Sequence, residues 1–270
     1  MMLKQVLFAA LLLFCIPSLA EARDHIPFLS ESELPDLTYV LPDPPEFTSP
    51  QFQCDKIQYD WGKSIRETPR GEQAVVDAQA SLHAVVNNFS AAMGIPITKK
   101  GTPKIYYLLG RTVDTVMVAI NSGKHHFGRP RPYIHFSEHT LIPSQEASHG
   151  SNASYPSGHS AIGWTTALVL AEINPKAQNE ILKKGYDYGQ SRVIAGYHYQ
   201  SDVDASRLIS SMIVNLLHTN EDFLNAMTEA KIEFARNISK STPDANIKHS
   251  KRIHKNKSDK KKHTKNREAL

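Results

Sequence analysis

The apolar residues between positions 72 and 93 impose the strongest constraint on the fold. Ala74, Val75, Ala78, Leu82, Val85, Val86, Phe89 and Met93 recur at mixed spacings of three and four. That period lines one face of a helix and does not line one face of a strand. Pro96 and Pro103 mark a break, after which the same pattern returns over 105–120, where Tyr107, Leu108, Val113, Val116 and Ile120 can face a core. Further helices are predicted over 160–173 and 177–193, parted by Asn174-Pro175, and over 202–217 and 222–238. Strand-like alternation is scarce, so the expected fold class is all-α.

The two ends read differently from this helical body. Lys4 precedes a short apolar run, Val6 to Ile16, and then the small residues of Pro17-Ser18-Leu19-Ala20 and Glu21-Ala22. This pattern predicts a secretory signal over 1–20, with cleavage after 22 as the alternative. The run is short of the ~20 apolar residues that span a bilayer, so an exported protein without transmembrane insertion is expected, periplasmic or secreted. Residues 23–53 carry Pro27, Pro35, Pro42, Pro44, Pro45 and Pro50 and predict an extended arm, followed by a helical domain over 54–238. Past Ile238 the periodicity stops, and 239–270 are predicted to be a disordered basic tail. Between Lys248 and Arg267 ten Lys or Arg meet one acid, Asp259, for a local charge of about +9, while the whole chain carries +4. The body is therefore mildly acidic, and only the tail is suited to contact anionic surfaces. Of the two cysteines, Cys15 lies in the predicted signal, so Cys54 has no internal disulfide partner after cleavage.

Three polar clusters interrupt the helices. Lys124 to Pro132 reads KHHFGRPRP, Pro156 to His159 reads PSGH, and Ser191-Arg192 is followed by Gly196-Tyr197-His198 and Asp202. Lysine supplies a point charge, arginine a planar fork of donors, and Ser or Gly at a turn hydroxyl and backbone donors, which together suit a tetrahedral oxyanion. Each cluster also has a plain reading as a solvated loop, a Pro-Gly turn, or an i,i+4 pair at a helix end. No His-Glu-x-x-His pattern or paired-cysteine site is present, and a metal or other cofactor is not expected.

The order and spacing of the clusters carry more than their content. Six residues separate Lys124 from Arg131-Pro132; Pro156-Ser157-Gly158-His159 follows; and Arg192, His198 and Asp202 are separated by five and three residues. This arrangement resembles the phosphatase signature of the type 2 phosphatidic acid phosphatase superfamily, whose domain is shared with the vanadium haloperoxidases. Over about residues 35–236 the chain is similar to the bacterial class A non-specific acid phosphatases, including Tyr59, Gly62, Arg66, Thr68, Arg70-Gly71 and the run from Gly163 to Pro175.

The resemblance implies a compact helical domain and metal-independent hydrolysis of phosphate monoesters, nucleotides among them, with phosphotransfer to alcohols in some relatives. It implies His198 as nucleophile, Asp202 as the carboxylate that orients it, and His159 as the acid for the leaving oxygen. Lys124, Arg131, Ser157, Gly158 and Arg192 are implied to hold the phosphoryl oxygens. A homo-oligomer, with a dimer the simplest case, is expected. The six-residue gap selects Arg131 over Arg129, which is left as an auxiliary phosphate contact or a loop-surface charge, the latter favoured. Ala195 stands where relatives often have cysteine, so stability is expected to come from packing.

Overall fold

The computed structural model describes residues 25–149 and 153–241, so the predicted signal and residues 242–270 of the predicted tail lie outside the described residues. Among the described residues eleven α-helices run in the order α1 Leu37–Val40, α2 Pro50–Ser64, α3 Pro69–Val76, α4 Leu82–Met93, α5 Pro103–Phe127, α6 Pro132–His135, α7 Glu146–His149, α8 Gly158–Ile173, α9 Gln178–Ala195, α10 Gln200–Leu217 and α11 Glu221–Ser241. No β-strand occurs among the described residues, and the fold is all-α. None of these helices is long and apolar enough to cross a membrane.

Helix α8 is the hub. It is rich in Gly, Ala and Thr, buried over most of its length, and packed by α5, α9 and α10. Small residues bring α9 unusually close: Gly163 faces the Tyr188 ring and Gly185 faces the Ala167 methyl. Around it Phe89, Met93, Ile105, Leu108, Ile120, Ile209 and Phe223 form one continuous core. Each of these fully buried side chains contributes on the order of 1.5–3 kcal/mol by leaving water. Cys54 is exposed and free, and the buried Ala195 packs with Tyr133 and Tyr197.

The helix expected over 72–93 is two helices. Ser81 starts α4 by accepting a bond from the Ala84 amide at 3.3 Å, and an N-cap competes with continuation of the preceding helix. Asp77, where α3 ends, points inward and accepts from Ser191 Oγ at 2.6 Å and Lys184 Nζ at 3.0 Å. Val75 and Tyr107, both read as core, are 43% and 47% exposed. The helix predicted over 105–120 runs on to Phe127, where Gly128 closes it at φ 56°. In the stretch expected to be an extended arm, the turn α1 forms and α2 begins at Pro50 behind its Ser49 cap.

Helix ends place the polar clusters together. Lys124 lies in the last turn of α5, Arg131 caps α6, Ser157 caps α8, Arg192 lies in the last turn of α9, and Asp202 in the first turn of α10. Two main-chain bonds lock the three segments to one another: Ser154 N–H to the Arg129 carbonyl at 2.8 Å, and Ser157 N–H to the Asp202 carbonyl at 3.2 Å.

Candidate active site

His198 is buried and contacts two of the three clusters. Its Nε2 lies 3.0 Å from Arg131 Nη1, which also donates to the Tyr197 carbonyl at 3.0 Å. A guanidinium only donates, so Nε2 accepts and carries a lone pair, and the ring proton resides on Nδ1. Nδ1 faces Asp202 Oδ2 at 3.4 Å. Burial, then the charges of Arg131, Lys124 and Arg192, holds the ring well below the usual histidine pKa, so it is neutral. A neutral imidazole with its lone pair on Nε2 is the nucleophilic form.

Asp202 is held from several sides. Oδ2 accepts from the Tyr199 amide at 2.8 Å and from the Ser154 hydroxyl in a very short contact. Oδ1 accepts from Arg129 Nη1 at 2.6 Å. Arg129 is thus buried, contrary to the expected surface charge. Its second nitrogen donates to Asp55 Oδ2 at 2.8 Å, its first also reaches Ser201 Oγ at 2.8 Å, and its plane lies 4.0 Å over the Tyr199 ring. The physical reason is Asp55, a carboxylate on the buried face of α2 with Phe52, Tyr59 and Gly62, which needs a cation inside the protein. Spacing to Lys124 assigns Arg131 to the pocket and leaves Arg129 to this second task.

The remaining cations face one region. Lys124 Nζ donates to the Ala153 carbonyl at 2.5 Å, and burial, with Arg131 next, brings its pKa down to about 7. Arg192 is fully buried, and Nε, Nη1 and Nη2 have no hydrogen-bond partner among the described residues. Its guanidinium stacks 4.5 Å from the Tyr197 ring, and burial lowers its pKa to about 10. A buried guanidinium with every donor unsatisfied costs several kcal/mol unless an anion meets it. Gly158 opens α8 beside Lys124, where an added Cβ would come 3.9 Å from Lys124 Cε and 3.3 Å from Met117 Cε. The N-terminal amides of α8 and its dipole also favour an anion there. Ser157 Oγ lies 2.8 Å from Ser160 Oγ.

His159 projects from the first turn of α8 and its Nε2 lies 3.1 Å from the Ala78 carbonyl. A carbonyl only accepts, so Nε2 carries the proton, and Nδ1 is the nitrogen that gains or loses one. Burial, then Arg192 and His198, pushes its pKa well below the ordinary value. The protein alone therefore keeps His159 neutral, and an anion beside it would favour a second proton on Nδ1.

All eight residues expected from the sequence lie in or beside this cage. Not foreseen were Asp55 and Arg129 behind Asp202, Ser154 on its second oxygen, the Ala78 carbonyl on His159, and His149, whose ring lies near those of His159 and Tyr197. A lone acid on the apolar face of α2 was a legible signal for Asp55; no short motif signals a carbonyl. Among the described residues no group of three or more His, Cys, Asp or Glu is placed to hold a metal ion.

Fold and site together define an all-α domain whose helix ends gather buried cations around two histidines. The PAP2 superfamily profile matches residues 105–225. The chain is 46% identical over 210 residues to a non-specific acid phosphatase of Providencia stuartii, an alignment covering 77% of this chain and 85% of that one. It is 36% identical over 208 residues to a non-specific acid phosphatase of Salmonella typhimurium, covering 77% and 83%. It is 31% identical over 209 residues to an acid phosphatase of Zymomonas mobilis, covering 77% and 79%. The chain belongs to the PAP2 superfamily and, within it, to the class A non-specific acid phosphatases, which are phosphomonoester hydrolases.

Proposed function

We propose that this acid phosphatase works through a phosphohistidine on His198, without a metal, on a broad range of small organic phosphomonoesters. The observation that carries the reading is the pair formed by a neutral His198, its lone pair on Nε2, and the buried, unpartnered guanidinium of Arg192. Arg192, Arg131, Lys124, Ser157 Oγ and the Gly158 amide hold the phosphoryl oxygens and take up charge in the transition state. Nε2 attacks phosphorus, the P–O ester bond breaks with its electron pair going to oxygen, and Nδ1–H of protonated His159 gives that oxygen its proton. His159 then takes a proton from water as the water attacks phosphohistidine, which releases inorganic phosphate and restores His198. An alcohol in place of water gives phosphotransfer.

Acidic conditions favour both cations the mechanism needs. Lys124 with a pKa of about 7 is charged on the acid side, and His159 gains its second proton there. Export to the periplasm or medium is supported by the apolar run and small residues of 1–22. The basic tail is proposed to touch anionic surfaces, and a homo-oligomer is proposed for the domain.

The mechanism is tested with a phosphomonoester labelled on phosphorus, quenched in alkali, where phosphohistidine survives. Label on the protein is expected in wild type and absent in His198→Ala, with turnover lost. His159→Asn is expected to lose about 100-fold or more in kcat on an alkyl phosphate and far less on p-nitrophenyl phosphate, whose leaving oxygen needs no proton. A His198→Ala protein with full activity refutes the mechanism.

A further inference from the structure

Asp77 closes α3 with its side chain wholly buried, and it belongs to none of the three motifs. Its carboxylate ties the end of α3 to α9. Oδ2 accepts from Ser191 Oγ at 2.6 Å, and Oδ1 accepts from Lys184 Nζ at 3.0 Å and from Gln73 Nε2 of its own helix at 2.9 Å. A carboxylate is costly to bury unless donors meet it, and here donors from two helices do. Arg70, also on α3, adds a second tie, donating to Ser191 Oγ at 2.9 Å and to the Asp187 carbonyl at 2.6 Å.

The main chain just past Asp77 reaches the site. The Tyr188 hydroxyl of α9 donates to the Gln79 carbonyl at 2.8 Å, and His159 Nε2 donates to the Ala78 carbonyl at 3.1 Å. The bond to Ala78 fixes the proton on Nε2 and leaves Nδ1 as the nitrogen able to serve a departing oxygen. Burial first, then Arg192, His198 and His149, opposes a second proton on this ring, and the Ala78 carbonyl favours it. A main-chain carbonyl is present whatever residue occupies position 78, so what matters is how the segment 77–79 is placed. Asp77 anchors it from one side and Tyr188 from the other, both to α9, the helix that carries Arg192.

We propose that Asp77 is a positioning residue for the leaving-group step: by anchoring 77–79 to α9 it holds the Ala78 carbonyl against His159 Nε2 and keeps Nδ1 turned to the departing oxygen. The inference rests on the proposed role of His159 as the leaving-group acid. Without the anchor the carbonyl moves off, the ring is free to turn, and the proton is no longer delivered from a fixed atom. An alkoxide cannot leave without that proton, whereas p-nitrophenolate can.

The test measures kcat/KM for an alkyl phosphate and for p-nitrophenyl phosphate in purified wild type, Asp77→Asn, Asp77→Ala, His159→Asn and the double variant of Asp77→Ala with His159→Asn. The ratio of the alkyl to the p-nitrophenyl value cancels any loss of folded enzyme and any damage to the phosphoryl site, which both substrates share. It is expected to fall about 10-fold or more in Asp77→Ala and about 3-fold in Asp77→Asn, which keeps an acceptor for Ser191. In the double variant it is expected to fall no further than in His159→Asn. A wild-type ratio in the folded Asp77 variants, meaning equal losses on both substrates, overturns the positioning role and leaves the acid role of His159 standing. A further fall in the double variant also overturns it, since Asp77 then acts without His159. If His159→Asn alone keeps the wild-type ratio, the acid assignment itself fails and this inference fails with it.

Discussion

Replacing Arg129 by Met is expected to damage the protein more than any loss of a surface charge could, and the pattern of recovery is diagnostic. Arg129 bridges Asp55 at 2.8 Å and Asp202 at 2.6 Å, with all three side chains at most 3% exposed. Removing the cation leaves two buried carboxylates. Asp55 keeps only the Ser201 amide at 2.8 Å and hydroxyl at 2.6 Å, and Asp202 only its Oδ2 partners and main-chain ties. Breaking a buried pair in this way costs about 3–5 kcal/mol. For a domain of this size that lowers Tm by roughly 10 °C. Because Asp202 Oδ1 loses its anchor, kcat per folded molecule is expected to fall about 100-fold, the usual cost of a small misplacement. Asp55→Asn alone should destabilise wild type, since it weakens the partner of a buried arginine. In the Arg129→Met background the same change removes an uncompensated charge, and is expected to return about 1–2 kcal/mol. Urea unfolding of the four proteins closes the cycle, with active-site titration to count folded enzyme. If Asp55→Asn costs the same in both backgrounds, or Arg129→Met costs under about 1 kcal/mol, the ion-pair reasoning is refuted.

Two further outcomes follow from packing and protonation. Gly163→Ala would place its Cβ 2.4 Å from the Tyr188 ring, forcing α8 and α9 apart, and is expected to cost about 1–3 kcal/mol by chemical unfolding; an unchanged midpoint would show that Tyr188 moves freely. His159 and His198 have folded pKa values well below the unfolded value of about 6.5, so the folded state binds fewer protons and stability is lost as pH falls below that value. His159→Asn is expected to flatten the decline in Tm between pH 7 and pH 5, and an unaltered slope would place the acid sensitivity elsewhere.

Much of the helical plan was legible because apolar residues repeat with the helix period, and five of the six predicted helices recur with ends displaced by a few residues. The helix expected over 72–93 was not, because apolar periodicity passes through Asp77 and Ser81 without registering that one is drawn inward by Ser191 and the other caps a new helix. The exposed Tyr107 and Val75 show the same limit: periodicity finds a face, and neighbours in space decide how far it is covered. In the site, spacing picked Arg131 over Arg129 for the pocket, yet could not say where Arg129 goes. That depends on Asp55, 74 residues away along the chain. The Ala78 carbonyl on His159 carries no side-chain signature, and His149 enters only through the path of the chain between α6 and α8.

The bonds from Ser154 N–H to the Arg129 carbonyl and from Ser157 N–H to the Asp202 carbonyl join main chain to main chain. Such bonds are indifferent to side-chain identity, save for proline at the donor. The frame of the pocket is therefore inherited separately from its lining. Side chains around the site can be exchanged while these two bonds keep the segments that carry Arg129, Ser157 and Asp202 in register.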